Sequence, residues 1–282
     1  MNTENKPLGR VLVVAGSDSS GGAGIQADIK TITMLGGYAS TAITALTVQN
    51  TQGVSGVIPA PIAGVTGQMT AILSDIGADT IKTGMLGDKQ LIEAIAQTLA
   101  DFASNIPRII DPVMVATSGD KLLPNNAIDT LKALFIRDAI MTPNAPEASL
   151  ITGKEVFDLN GQRRAAEYLL EAGAKAAIIK GGHVEGDKIV DLIATPEGEI
   201  FCEHERINAT STHGTGCTLA SAIATGIAQG FNLENAFKRA QIYVSQAIQH
   251  APQLGRGNGP LGHNWPIKNP ELAQNLLSQF KA

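Results

Sequence analysis

The stretch Ser211-Thr-His-Gly-Thr-Gly-Cys217 places two glycines and a thiol directly before the small, Ala-rich run Thr218-Leu-Ala-Ser-Ala-Ile-Ala224. Alanine and apolar residues without proline predict a helix over Thr218–Gln229. Gly214 and Gly216 permit backbone angles that other residues resist, and they leave no side chain in the way of a ligand. The first amides of a helix lack internal partners, and the macrodipole adds partial positive charge there. Gly214, Thr215 and Gly216 therefore form a candidate anion turn, most simply for a phosphate. Cys217 stands at its lip, where a thiol is expected to ionise more easily. An anion site with a base beside it suits group transfer. The plainer reading is an ordinary glycine-rich helix start.

Other residues capable of chemistry stand at predicted strand ends. Asp18 lies in the glycine-rich segment Gly16–Gly24, as a functional carboxylate or a turn cap. That segment has neither the G-x-G-x-x-G spacing of a dinucleotide site nor the Gly-Lys-Ser/Thr of a P-loop. Asp111 ends the apolar run Arg108-Ile-Ile-Asp and precedes Pro112. Asn144 and Glu147, three apart, offer oxygens that suit hydrated Mg²⁺. Spacing alone favours a capping box there, with Asn144 as the cap. Lys180 precedes Gly181-Gly182-His183. It is either a surface lysine or a cation that meets a phosphate.

The elements that must position these residues alternate regularly. Short apolar runs at Arg10–Ala15, Ser40–Val48, Gly53–Ile58, Asp79–Lys82, Arg108–Asp111, Ala139–Met141 and Ala176–Lys180 read as strands. Helical spacing is predicted over Ile25–Leu35, Ala60–Ile76, Asp88–Phe102, Pro124–Phe135, Gly161–Ala172 and Leu233–His250, with a last helix from Asn269-Pro270. Asp187–Ala194 and Glu199–Glu205 read as a hairpin about Pro196-Glu-Gly198. No linker or repeat interrupts this order, so residues 1–282 are expected to form one doubly wound α/β domain. Its loops would bring Asp18, Gln49, Lys82, Met85, Asp111, Asn144, Glu147, Lys180 and the anion turn together at the strands' carboxyl ends.

Composition excludes several classes. Of 282 residues 44% are hydrophobic and 17% charged, which implies a large core. The net charge of −5 provides no basic footprint for nucleic acid or an anionic membrane. Only two cysteines, Cys202 and Cys217, exclude a disulfide framework and fit a reducing cytoplasm. No apolar run approaches the ~18 residues that span a bilayer. Val11–Ala15 is too short for a signal-peptide core.

Taken together, several segments resemble the hydroxymethylpyrimidine/phosphomethylpyrimidine kinases of thiamine biosynthesis, in the ribokinase-like superfamily. They are Ala15–Asp28, Ile43–Thr51, Gly84-Met-Leu86, Asp111-Pro-Val-Met114, Thr142-Pro-Asn144 with Glu147, Lys180–His183 and His213–Thr218. The resemblance implies a three-layer α/β/α sandwich with a mostly parallel sheet. It implies transfer of the ATP γ-phosphoryl to a pyrimidine hydroxymethyl group, then to the monophosphate. It puts Asp18, Gly22, Gln49, Met85 and Val113 on the substrate side, with Gln49 hydrogen-bonding the aminopyrimidine. It puts Asn144, Lys180, Thr212 and His213 on the nucleotide side, and Asp111 and Glu147 at Mg²⁺. Gly214, Thr215, Gly216 and Lys180 would stabilise the phosphoryl group in flight. Cys217 would be the base where the wider superfamily usually has Asp; a thiol that only shapes the pocket is the alternative. The chain departs from the pattern at Thr117-Ser118-Gly119, where a lysine is expected. Relatives suggest a homodimer. The rival readings are a pyridoxal kinase of vitamin B6 salvage and a non-catalytic pyrimidine sensor.

Overall fold

A computed structural model describes residues 9–114, 123–182 and 188–280. The elements in chain order are β1 (Arg10–Asp18), α1 (Gly24–Met34), β2 (Tyr38–Asn50), β3 (Gly53–Pro59), α2 (Ile62–Ser74), β4 (Thr80–Thr83) and α3 (Lys89–Phe102). Then come β5 (Arg108–Ile110), α4 (Asn125–Phe135), β6 (Ala139–Met141), α5 (Ala145–Thr152), α6 (Leu159–Glu171) and β7 (Ala176–Ile179). The chain finishes with β8 (Lys188–Thr195), β9 (Gly198–Glu205), α7 (Thr215–Ala228), α8 (Leu233–Gln249), α9 (Trp265–Lys268) and α10 (Pro270–Leu277).

One nine-stranded sheet runs β3-β2-β1-β4-β5-β6-β7-β8-β9. The strands from β2 to β7 pair in parallel, and β3, β8 and β9 add antiparallel edges. Side chains alternate along a strand, so β1 serves both faces. Leu12 and Val14 join the core under α2 to α6, while Val11, Val13 and Ala15 join the core under α1, α7 and α8. That is the expected three-layer α/β/α sandwich. The strand order reverses about β1, where ligands of open α/β sheets bind.

Three local outcomes matter for the site. Helix α7 starts at Thr215, three residues before the predicted Thr218, so the anion turn is the helix's own first turn. Helix α5 follows Asn144 directly. The short α9 escaped the sequence reading because Pro266 sits within its four residues. The predicted cap at Asp88 is present, with its carboxylate accepting from Leu91 N at 2.9 Å. Asp88→Ala should cost about 1 kcal/mol in urea denaturation, and an unchanged midpoint would show the cap to be idle. Among the described residues no helix is long and apolar enough to cross a membrane. Thr117-Ser118-Gly119, His183 and the predicted hairpin start at Asp187 lie outside the described residues.

Candidate active site

The site is assembled from two docked glycine-rich turns and three strand ends. The first turn leaves β1 at Asp18. The Asp18 carboxylate accepts from Ser20 N (2.8 Å), Ser20 Oγ (2.8 Å), Gly22 N (3.1 Å) and Ala23 N (2.8 Å). Burial alone would raise its pKa. The hydrogen bonds from His213, Ser20 and Ala23 outweigh that and hold it well below the usual carboxylate range. The second turn is His213–Gly216. Gly214 has φ +86°, and a Cβ there would lie 1.9 Å from the Gly22 carbonyl. Only glycine lets the two turns meet.

Strand ends supply the charged groups. Lys180, just past β7, points its Nζ 3.0 Å from Asp111 Oδ1 and 4.0 Å from Glu147 Oε2. Burial works against its charge, but Asp111 and then Glu147 outweigh it, and the ammonium is held above its usual pKa. Burial pushes Glu147 up to about 7; Lys180 opposes that and Asp111 adds to it. The capping box is also real. Glu147 N donates to Asn144 Oδ1 at 2.8 Å, and Asn144 N donates to Glu147 Oε2 at 2.9 Å. The cap and the site are thus one structure, because the box aims the Glu147 carboxylate at Lys180.

The anion turn closes on the same space. A Cβ on Gly216 would stand 3.4 Å from Lys180 Nζ and 3.7 Å from Asp111 Oδ2. The bare backbone therefore leaves a gap between a helix N-terminus and a partly buried lysine, which suits an anion. Cys217 corrects an expectation. Burial pushes its thiol up to about 12, against the pull of Lys82, so it is not easily ionised in the free protein.

Fourteen of the predicted site residues line one cavity of about 560 Å³. They are Asp18, Gln49, Met85, Asp111, Val113, Asn144, Glu147, Lys180, Thr212, His213, Gly214, Thr215, Gly216 and Cys217. Gly22 does not; it packs on His213, with room for no Cβ, since one would lie 2.4 Å from His213 Cδ2. Lys82 does not converge on the site either. It is fully buried, and Nζ bonds Asp28 at 2.9 and 3.1 Å, while Ser221 Oγ donates to the same carboxylate at 2.6 Å. This ion pair ties β4, α1 and α7 together beneath the turns. His213 bonds the substrate loop, with Nε2 2.8 Å from Asp18 Oδ2, although it had been expected on the nucleotide side. Sequence reasoning missed the walls from the hairpin and α8, which include Asp191, His204, Arg206, Gln241 and Ser245. Only the hairpin's place before the anion turn hinted at them.

Comparison with known proteins gives this geometry a lineage. The phosphomethylpyrimidine kinase family matches residues 18–262. The chain is 48% identical over 91% of its length to the thiamine biosynthesis bifunctional protein ThiED of Geobacter sulfurreducens, of whose length it spans about half (52%). It is 43% identical to the hydroxymethylpyrimidine/phosphomethylpyrimidine kinase of Streptomyces coelicolor, over 91% of this chain and 95% of that one. Among solved structures, an ADP complex of Bacillus subtilis pyridoxal kinase superposes with a TM-score of 0.85 at 33% identity, over 91% of this chain and 98% of that one. The match over most of the length, together with the turns and strand ends that form one cavity, means that the chain belongs to the hydroxymethylpyrimidine/phosphomethylpyrimidine kinase family.

Proposed function

We propose that the cavity takes an aminopyrimidine against Asp18, Gln49, Met85 and Val113, and the phosphates of ATP between Lys180 and the anion turn. The activity is that of the family: ATP-dependent phosphorylation of hydroxymethylpyrimidine and its monophosphate in thiamine biosynthesis. One observation carries the division of the cavity. Gly216, Lys180 and Asp111 leave a shared gap that faces Cys217's helix end. Phosphoryl transfer asks a protein mainly for in-line positioning and neutralisation of charge on the phosphoryl oxygens. The amides of Gly214 and Gly216 donate to that charge, and Lys180 supplies a cation within the same gap; the Thr215 amide is turned back to the Thr212 carbonyl at 3.3 Å. Asn144 and Thr212 line the nucleotide side. Cys217 stands as the candidate acceptor for the hydroxymethyl proton.

The donor set also fits hydrated Mg²⁺. Asp111 and Glu147 set two buried carboxylates against one lysine, and Mg²⁺ keeps several waters while taking one or two carboxylates plus phosphate oxygens. Asp111 and Glu147 would hold it. When bound, the ion neutralises charge on the phosphate oxygens. The 282 residues act as one catalytic domain. A homodimer accords with the apolar residues Leu46, Val48, Val57 and Ile58, which stand exposed on β2 and β3 at the sheet's edge.

The deciding assay is ADP release with Mg–ATP and, separately, hydroxymethylpyrimidine, its monophosphate and pyridoxal. Turnover on both pyrimidines is expected. Turnover on pyridoxal alone would move the reaction to vitamin B6 salvage, and pyrimidine binding without ADP release would mean a sensor. Gln49→Leu should weaken pyrimidine binding by roughly 1–3 kcal/mol, the cost of leaving the ring groups unpaired. Calorimetry should find nucleotide binding unchanged. Equal pyrimidine affinity in both proteins would show that Gln49 does not read the ring.

A further inference from the structure

The hydrogen bonds around Gln49 conflict at both ends of its amide. The donors on the Asp18 carboxylate from Ser20, Gly22 and Ala23 mark it as an anion. His213 Nε2 lies 2.8 Å from that anion's Oδ2, so this ring nitrogen carries its hydrogen. The same Nε2 lies 3.3 Å from Gln49 Nε2, and two N–H groups cannot bond each other. At the far end of the amide, the Thr47 hydroxyl lies 3.0 Å from Gln49 Oε1 and 3.1 Å from the Ser17 carbonyl. It has one hydrogen for two acceptors. Amide orientation is fixed by the surrounding network, and turning this amide end for end removes both conflicts. His213 Nε2–H then donates to Oε1 as well as to Asp18. Gln49 Nε2–H donates to Thr47 Oγ1, whose own hydrogen goes to Ser17.

We infer that the Asp18–His213 pair clamps Gln49 with Oε1 on His213 and Nε2 on Thr47, and that His213 is thereby the positioning residue for ring selection. This rests on the reading that the cavity binds a hydroxymethyl aminopyrimidine. The clamped amide keeps one free lone pair on Oε1 and one free N–H on Nε2. Those two complement an amino group beside a ring nitrogen, in one orientation of the ring. Pyridoxal has no amino group beside its ring nitrogen, so it leaves part of the pair unmet, which is how a polar site rejects an analogue. The clamp also explains Gly22: a Cβ there would push the imidazole off Asp18.

The test measures steady-state ADP release while varying hydroxymethylpyrimidine and ATP separately. The proteins are wild type, His213→Ala, His213→Asn, Thr47→Val, Gln49→Ala and the His213→Ala/Gln49→Ala double variant. Thr47→Val keeps the β-branched shape on β2, so it checks the clamp without disturbing the buried histidine. His213→Ala and Thr47→Val are each expected to raise KM for the pyrimidine about tenfold, with kcat within about threefold. KM for ATP stays unchanged. His213→Asn, still able to donate to Asp18, recovers part of the loss. Adding His213→Ala to Gln49→Ala adds no further penalty, because the histidine acts through the amide. Additive penalties, or a rise in KM for ATP instead of the pyrimidine, would overturn the inference. A second readout needs no turnover. The side-chain ¹⁵N–¹H signals of Gln49 in ligand-free protein are expected to move in both His213→Ala and Thr47→Val, and signals unmoved in both would overturn the clamp. Wild-type protein that releases no ADP with the pyrimidine would fail the kinase reading, and these signals then decide the clamp by themselves.

Discussion

Replacing Lys180 with methionine should lower kcat by about three orders of magnitude, the scale set by cationic stabilisation of a phosphoryl group in flight. Pyrimidine binding should change by less than about threefold, because an interaction realised in the transition state appears in kcat rather than in ground-state affinity. Geometry separates the two quantities. Lys180 Nζ sits with Asp111 and beside Gly216, whereas Gln49 is held at the other glycine turn by Thr47, Ser19 and His213. Methionine matches the stem and removes the charge. Its loss leaves Asp111 and Glu147 as two buried carboxylates without their cation. Glu147, already pushed up to about 7, can answer by taking a proton, which limits the damage to folding. Single-turnover kinetics and a thermal melt on the same sample check this. A variant that melts normally and keeps more than about a tenth of wild-type kcat would place the transferred phosphoryl elsewhere.

How much of this was legible depends on whether the physics was local. The turn Gly214-Thr-Gly216 could be read because helix amides and glycine conformations are properties of a short segment. The strands were legible for the same reason, since Val11–Ala15 of β1 and the whole of β7 are unbroken apolar runs buried on both faces. Asn144 and Glu147 offered two readings from their spacing, and the structure holds the cap and aims the carboxylate into the cavity at once. What failed was non-local. Cys217 stands in the first turn of a helix, where a lowered pKa is expected, but α7 is packed on the sheet and against α1 and α8, and desolvation wins. Lys82 ends a strand like Lys180, yet its partner Asp28 comes from α1, 54 residues away in sequence, and draws the amine out of the site. His213 binds Asp18 across 195 residues. Nothing in either segment announces those pairings. The walls of Asp191, His204 and Gln241 fall in the same class, because only the packing of the hairpin and α8 brings them to the cavity.

Cys217→Ala should lower kcat about 10²–10³-fold, within the 10²–10⁴ typical of a positioned general base. Pyrimidine affinity should stay within about threefold of wild type, since the ring is read by Gln49 rather than by the thiol. The nearest rival acceptor is weak. Asp18 already takes hydrogen bonds from Ser20, Gly22, Ala23 and His213, and those from His213, Ser20 and Ala23 hold its pKa low, so it has little appetite for the proton. The thiol has the opposite difficulty. With a pKa near 12 in the free site it is protonated at neutral pH, and only its ionised fraction can accept. That fixes the sign of the pH dependence. If Cys217 is the base, wild-type kcat/KM for the pyrimidine, which reports groups of the free enzyme, rises with pH from 7 to 9, by about tenfold per unit while the thiol stays mostly protonated. In Cys217→Asp the same burial raises the carboxyl too, but from a starting value several units below that of the thiol, so its profile should level off at lower pH than the wild type's, at a rate above that of the alanine variant. Phosphoryl transfer through a loose transition state calls on the base late, which places the loss at the low end of the range. A flat wild-type profile, or full turnover by Cys217→Ala, would leave the thiol shaping the pocket while water takes the proton.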